Sequence, residues 1–136
     1  MKTILLVLSI LVSVLPGCTL IDAYLMTGFD PNEYRIVTEI RVDAELAKSQ
    51  CDNANTSKIS AQSVAIKTHL FERYSEEIPR NSNGISAAKS LNEIAQGLAT
   101  RYNSTQPVGP LFCKLKFEGI ENSAKVMQHV IGNRPR

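Results

Sequence analysis

The side chains of this 136-residue chain that could do chemistry are few. His69 and His129 are its only imidazoles, so a metal site or acid–base centre built on histidine must use one of them. His69 and Glu72 stand three apart, a spacing that shares one helix face and can hold a metal, and di-iron bundles use a Glu-x-x-His pair twice. Here the order is reversed and a second copy is missing. Glu76 and Glu77 are adjacent carboxylates, yet consecutive helical residues point about 100° apart, which suits solvation of a helix end better than shared proton transfer. The sequence has no Gly-x-Ser-x-Gly elbow, no glycine-rich phosphate loop and no Cys-x-x-Cys pair. No catalytic residue, metal or cofactor is expected, and the chain does not read as an enzyme. Its net charge is only +2, with the basic residues scattered, so a nucleic-acid partner is not expected either.

Chemistry of another kind is written at the start. Lys2 precedes an apolar stretch from Ile4 to Leu15, broken only by Ser9 and Ser13, and Leu15-Pro16-Gly17-Cys18 closes it. The stretch is short of the roughly 20 residues that a bilayer-spanning helix needs, so it reads as a secretory signal that is cut off. Leu15, Gly17 and Cys18 resemble the lipobox of bacterial lipoproteins; Pro16 stands where that motif has a small residue. The resemblance covers the leader only. It implies cleavage between Gly17 and Cys18, and diacylation of the Cys18 sulfur with chains such as palmitate. The body is then anchored to a membrane without spanning it, and several buried acyl chains make such an anchor durable. Thr19, in place of the aspartate that retains lipoproteins in the inner membrane, favours the periplasmic face of the outer membrane; the inner membrane is the alternative.

With Cys18 assigned to lipid, Cys51 and Cys113 remain as an even pair, and an oxidising periplasm makes a disulfide the natural reading. Such a bridge closes a loop of about 60 residues, worth on the order of 4 kcal/mol in the chain-entropy account. The other reading is two buried free thiols.

Helices must position these groups. Asp30-Pro31-Asn32-Glu33 is a helix start, with Asp30 as cap and Glu33 placed to close a capping box. A first helix over about 31–51 follows, with Tyr34, Val37, Ile40, Ala44, Ala47 and Cys51 on its apolar seam. A second helix is expected over about 57–78, its buried stripe combining Ile59, Ser63, Ile66, Leu70, Phe71, Tyr74 and Ile78, with Pro79 as the stop. A third covers about 85–103 through Ala88, Leu91, Ala95, Leu98 and Tyr102. From Pro110 the pattern Cys113, Phe117, Ile120, Ala124, Met127, Ile131 favours a fourth helix, although 111–118 also alternates like a strand.

The fold class is therefore all-α: an antiparallel four-helix bundle with one disulfide joining helices 1 and 4 at the membrane-distal end. The organisation is signal peptide 1–17, lipid-attached apolar segment 18–29 and bundle domain 30–136. In the segment, Tyr24, Leu25, Met26 and Phe29 are either contact residues for lipid or a partner, or a strap packed on the body. Arg134 and Arg136 are read as a solvated tail or as contacts to anionic head groups.

The function expected is that of a tethered lipoprotein acting through protein–protein contact as an envelope assembly, exclusion or accessory factor, its partner an envelope protein. The alternative is a periplasmic bundle binding an apolar or lipid-like ligand in space left by Ala44, Ala47, Ala88 and Ala95.

Overall fold

The structure is a computed structural model and describes residues 27–136. It contains helices α1 (Pro31–Ser49), α2 (Ala54–Glu76), α3 (Ser82–Asn103) and α4 (Pro110–Gly132), and among the described residues there is no strand. The helices form an antiparallel bundle in which α1 packs most closely on α4 and α2 on α3; the α3–α4 seam is the loosest.

Each helix starts for a local reason. The Asp30 carboxylate accepts the backbone N–H groups of Asn32 and Glu33, both at 2.8 Å, satisfying donors that the first turn of α1 leaves without partners. Asn53 does the same for Thr56 N–H at 3.0 Å, and α2 begins at Ala54, a turn earlier than the periodicity predicts. At the start of α3, the Asn81 side chain lies over Gly84, where a Cβ would come within 2.1 Å of Asn81 Oδ1. Only glycine leaves room for that amide. Pro110 opens α4 as its first residue, and the helix runs unbroken through 111–118, so the strand alternative is overturned. Cys113, Phe117, Ile120, Ala124, Met127 and Ile131 are all buried, because the three-and-four spacing that reaches Ile131 outweighs the short alternation inside it.

The seams of α1 and α3 also lie where the sequence puts them, with Val37, Ile40, Ala44, Ala47, Ala88, Leu91, Ala95 and Leu98 in the core. α2 does not. Its buried residues are Ser57, Ala61, Val64, Ala65, Thr68, Phe71 and Ser75, and of the expected stripe only Phe71 is fully buried. Small side chains let α2 lie close against α3, and polar bonds fill the contact. Thr68 Oγ1 donates to Asn92 Oδ1 at 3.1 Å, Asn92 Nδ2 to Glu72 Oε2 at 2.5 Å, and Gln96 Nε2 to the Ala65 carbonyl at 3.1 Å.

Cys51 and Cys113 form a disulfide with a Cα–Cα distance of 5.7 Å. α1 ends at Ser49, so Cys51 sits in the turn beyond it, and the bridge ties that turn to the first turn of α4.

The opposite end carries the chain entry. Thr27 Oγ1 donates to the Arg80 carbonyl at 2.5 Å and Phe29 N–H to the Pro135 carbonyl at 2.8 Å, laying residues 27–29 across the end of the bundle. Beneath them Glu33, 0% exposed, accepts from Arg134, and Asn81 bonds to both, at 3.2 Å from Glu33 and 3.0 Å from Arg134. Two expectations change here. Glu33 turns inward to a buried cation rather than back to the Asp30 amide, and Arg134 is core rather than a solvated or head-group residue, because each cancels the desolvation of the other.

Candidate functional site

Among the described residues, the outward face of α2 is one surface that the fold leaves without a partner. At 3.6 residues per turn Ile59, Ile66 and Leu70 fall on one line, within an arc of about 40°, on the side away from the core. They are 67%, 70% and 55% exposed, whereas Ala61 and Ala65 on the inward face are 1% and 3% exposed. Apart from Val64 and Phe71, the helix thus buries small residues, and it presents Ile59, Ile66 and Leu70 to water. Single exposed hydrophobics are ordinary on protein surfaces, but an aligned set is the pattern of a contact face.

Neighbouring helices extend this face. Leu46 of α1 is 58% exposed and lines, with Ile59, Ser60 and Ser63, a shallow groove of about 270 Å³ between α1 and α2. Beyond it Lys67 reaches across from α2 to Asp43 at 2.6 Å and Glu39 at 3.7 Å on α1. The hydrogen bond to Asp43 raises the Lys67 ammonium above its ordinary value, against a smaller opposing effect of burial. The ion pairs pin the two helices side by side, so the α2 stripe is held on a rigid support.

A second concavity, about 350 Å³, opens at the chain-entry end of the loose α3–α4 seam. Ala87 of α3 and Val126, Met127, Val130 and Ile131 of α4 give it apolar walls, and Thr27, Arg80 and Asn83 stand at its margin. Nearby, the Tyr74 hydroxyl donates to the Asp30 carboxylate at 3.0 Å. Burial raises the Tyr74 phenol above its usual range, and the Asp30 charge acts in the same direction.

The residues singled out for chemistry do not converge. His69 is exposed on α2, while Glu72 turns to Asn92 of α3, so the pair does not share a site. His129 is exposed, with its ring 3.3 Å from the Asn133 side-chain amide. Glu76 pairs with Arg73 at 2.8 Å. Among the described residues no three His, Cys, Asp or Glu side chains group as metal ligands, and no helix is long and apolar enough to cross a membrane. Cys51 and Cys113 meet as the disulfide. Phe29, read as a contact residue or part of a strap, packs on the bundle: its ring lies 5.8 Å from Tyr34, with the Arg136 guanidinium 5.0 Å above it. Gly17, Cys18, Tyr24, Leu25 and Met26 lie outside the described residues.

Sequence periodicity misassigned Ile59, Ile66 and Leu70 to the core, and the available signal was the competing stripe of Ala61, Val64, Ala65, Thr68 and Phe71 on the same helix. Comparison with protein-family models, curated proteins and solved structures finds no match to this chain.

Proposed function

We propose that this protein is a lipid-anchored lipoprotein of the periplasmic face of the outer membrane that acts by protein–protein contact, as an assembly, exclusion or accessory factor of the envelope. One observation carries the contact part of this reading: the Ile59, Ile66 and Leu70 stripe stands in water on a helix whose core face, Val64 and Phe71 apart, is built of small residues. Covering what is still exposed of each of these side chains contributes about 1–2 kcal/mol, part of which a docked partner keeps as affinity. The anchoring part rests on Leu15, Gly17 and Cys18 and is supported by where the chain enters. Residues 27–29 cross the end opposite the disulfide, so an anchor before residue 27 holds that end toward the bilayer and leaves the flank of α2 free to meet neighbours. Confinement to a membrane raises effective concentration, so modest contact affinity suffices.

Fractionation of cells expressing full-length protein tests the anchor: wild type is expected with the outer membrane and Cys18→Ser with the soluble periplasm, and a wild type found soluble overturns it. Crosslinking in intact cells tests the contact. The apolar walls of the α3–α4 cleft favour a second reading, an apolar ligand held there; a native mass spectrum of the processed protein showing a retained small molecule supports that reading over the first.

A further inference from the structure

We propose that the partner of the α2 stripe is a second copy of this chain, docked antiparallel through the same face; this deepens the protein-contact reading above and rests on it. The stripe is self-complementary in both size and charge. With a two-fold axis at Ile66, each residue of α2 faces the one equally far along in the opposite direction, so Ile66 meets Ile66 of the second copy. Leu70 then comes level with Gln62 of the second copy and one residue, about 1.5 Å, along from Ser63, the small residue on the stripe side against which it packs, and Ser63 lies under Leu70 in return. Ile59 lies along the aliphatic stem of Arg73 of the second copy, with Leu46 closing the flank.

Charge follows the same symmetry. Lys58 stands one residue before the stripe, and Glu77 caps its far end beside the Arg73–Glu76 pair. Among the described residues neither Lys58 nor Glu77 has a salt-bridge partner. The antiparallel arrangement sets Lys58 level with Tyr74 of the second copy, where Arg73 is already neutralised by Glu76, and within about one helical turn of Glu77, and it repeats that grouping at the other end. A parallel arrangement places Lys58 on Lys58 and Glu77 on Glu77. Apolar pattern and charge therefore select one orientation and one kind of partner.

The test uses the full-length protein in its membrane with a photo-crosslinking residue, Ile66→benzoylphenylalanine, and Glu93→benzoylphenylalanine on the exposed face of α3 as control. The expected product has twice the chain mass and joins two α2 peptides, and the control yields none. Lys58→Glu should lower the yield about fivefold or more, and adding Glu77→Lys should restore it. A product joining α2 to a different protein overturns the second copy while leaving the contact reading standing. No product above the control overturns both. All four substituted side chains reach solvent, and unchanged circular dichroism shows that folding is not the variable.

Discussion

Arg134 donates a hydrogen bond to Glu33 across 101 residues of sequence, and both side chains are buried, at 9% and 0% exposure. Asn81 bonds to each and also to the Ser75 carbonyl at 3.2 Å, so the start of α1, the α2–α3 turn and the end of α4 are fastened at one point. That point lies directly under the chain entry, where the pull of a tether would be felt.

Removing one member of this pair strands the other charge out of water. Arg134→Met is expected to destabilise the protein by about 3–5 kcal/mol, while Glu33→Leu/Arg134→Met together should recover most of that loss. Urea denaturation of the four-member cycle checks it. A single substitution that costs less than the double would show that the pair does not act as a unit.

The disulfide fastens the other end. Its cysteines lie 62 residues apart, and the chain-entropy account predicts that Cys51→Ala/Cys113→Ala lowers stability by about 4 kcal/mol. Neither sulfur carries a thiol while the bridge is intact, so alkylation of the unreduced protein unfolded in urea should modify neither Cys51 nor Cys113, and intact mass reads the result directly.

The orientation of α2 is open to the same kind of measurement. Ile66→Ser should change stability by about 0.5 kcal/mol or less, because the side chain is already in water. Phe71→Ala, five residues on and fully buried, should cost about 3–5 kcal/mol. A large cost at Ile66 with a small one at Phe71 would mean that α2 is rotated by half a turn. Dilute protein is the right sample, so that association does not contribute.

All four helices were readable from sequence, and on three of them the buried face as well, because one stripe on each combined size with helical spacing, as Phe117, Ile120 and Ile131 do on α4. α2 carries two competing stripes, and a reading that weighs side-chain hydrophobicity chooses Ile59, Ile66 and Leu70 over Ala61, Ala65 and Thr68. Which stripe faces in is decided by the neighbour: α3 offers Asn92 and Gln96, whose amides need Thr68, Glu72 and the Ala65 carbonyl at close range. That information lies 20 or more residues away and has no periodic signature. The Cys51–Cys113 pair was legible because three cysteines, with Cys18 set aside by the lipobox resemblance, leave an even pair. Arg134 was not, since a basic residue two short of the last one looks solvated until Glu33 is placed opposite it.

Alkaline pH probes the support beneath the proposed contact face. Hydrogen bonding to Asp43 raises Lys67 above 10.5, so its stabilising contribution is complete below that value and is lost as pH climbs through the higher folded one. Lys67→Met lacks the contribution at every pH. The stability gap between wild type and Lys67→Met should therefore be constant from pH 7 to about 10 and close above that, as followed by urea denaturation at successive pH values. Tyr74, also raised, titrates in the same alkaline region in both proteins and drops out of the difference. A gap that closes near neutral pH would mean that another group, not Lys67, controls the α1–α2 contact.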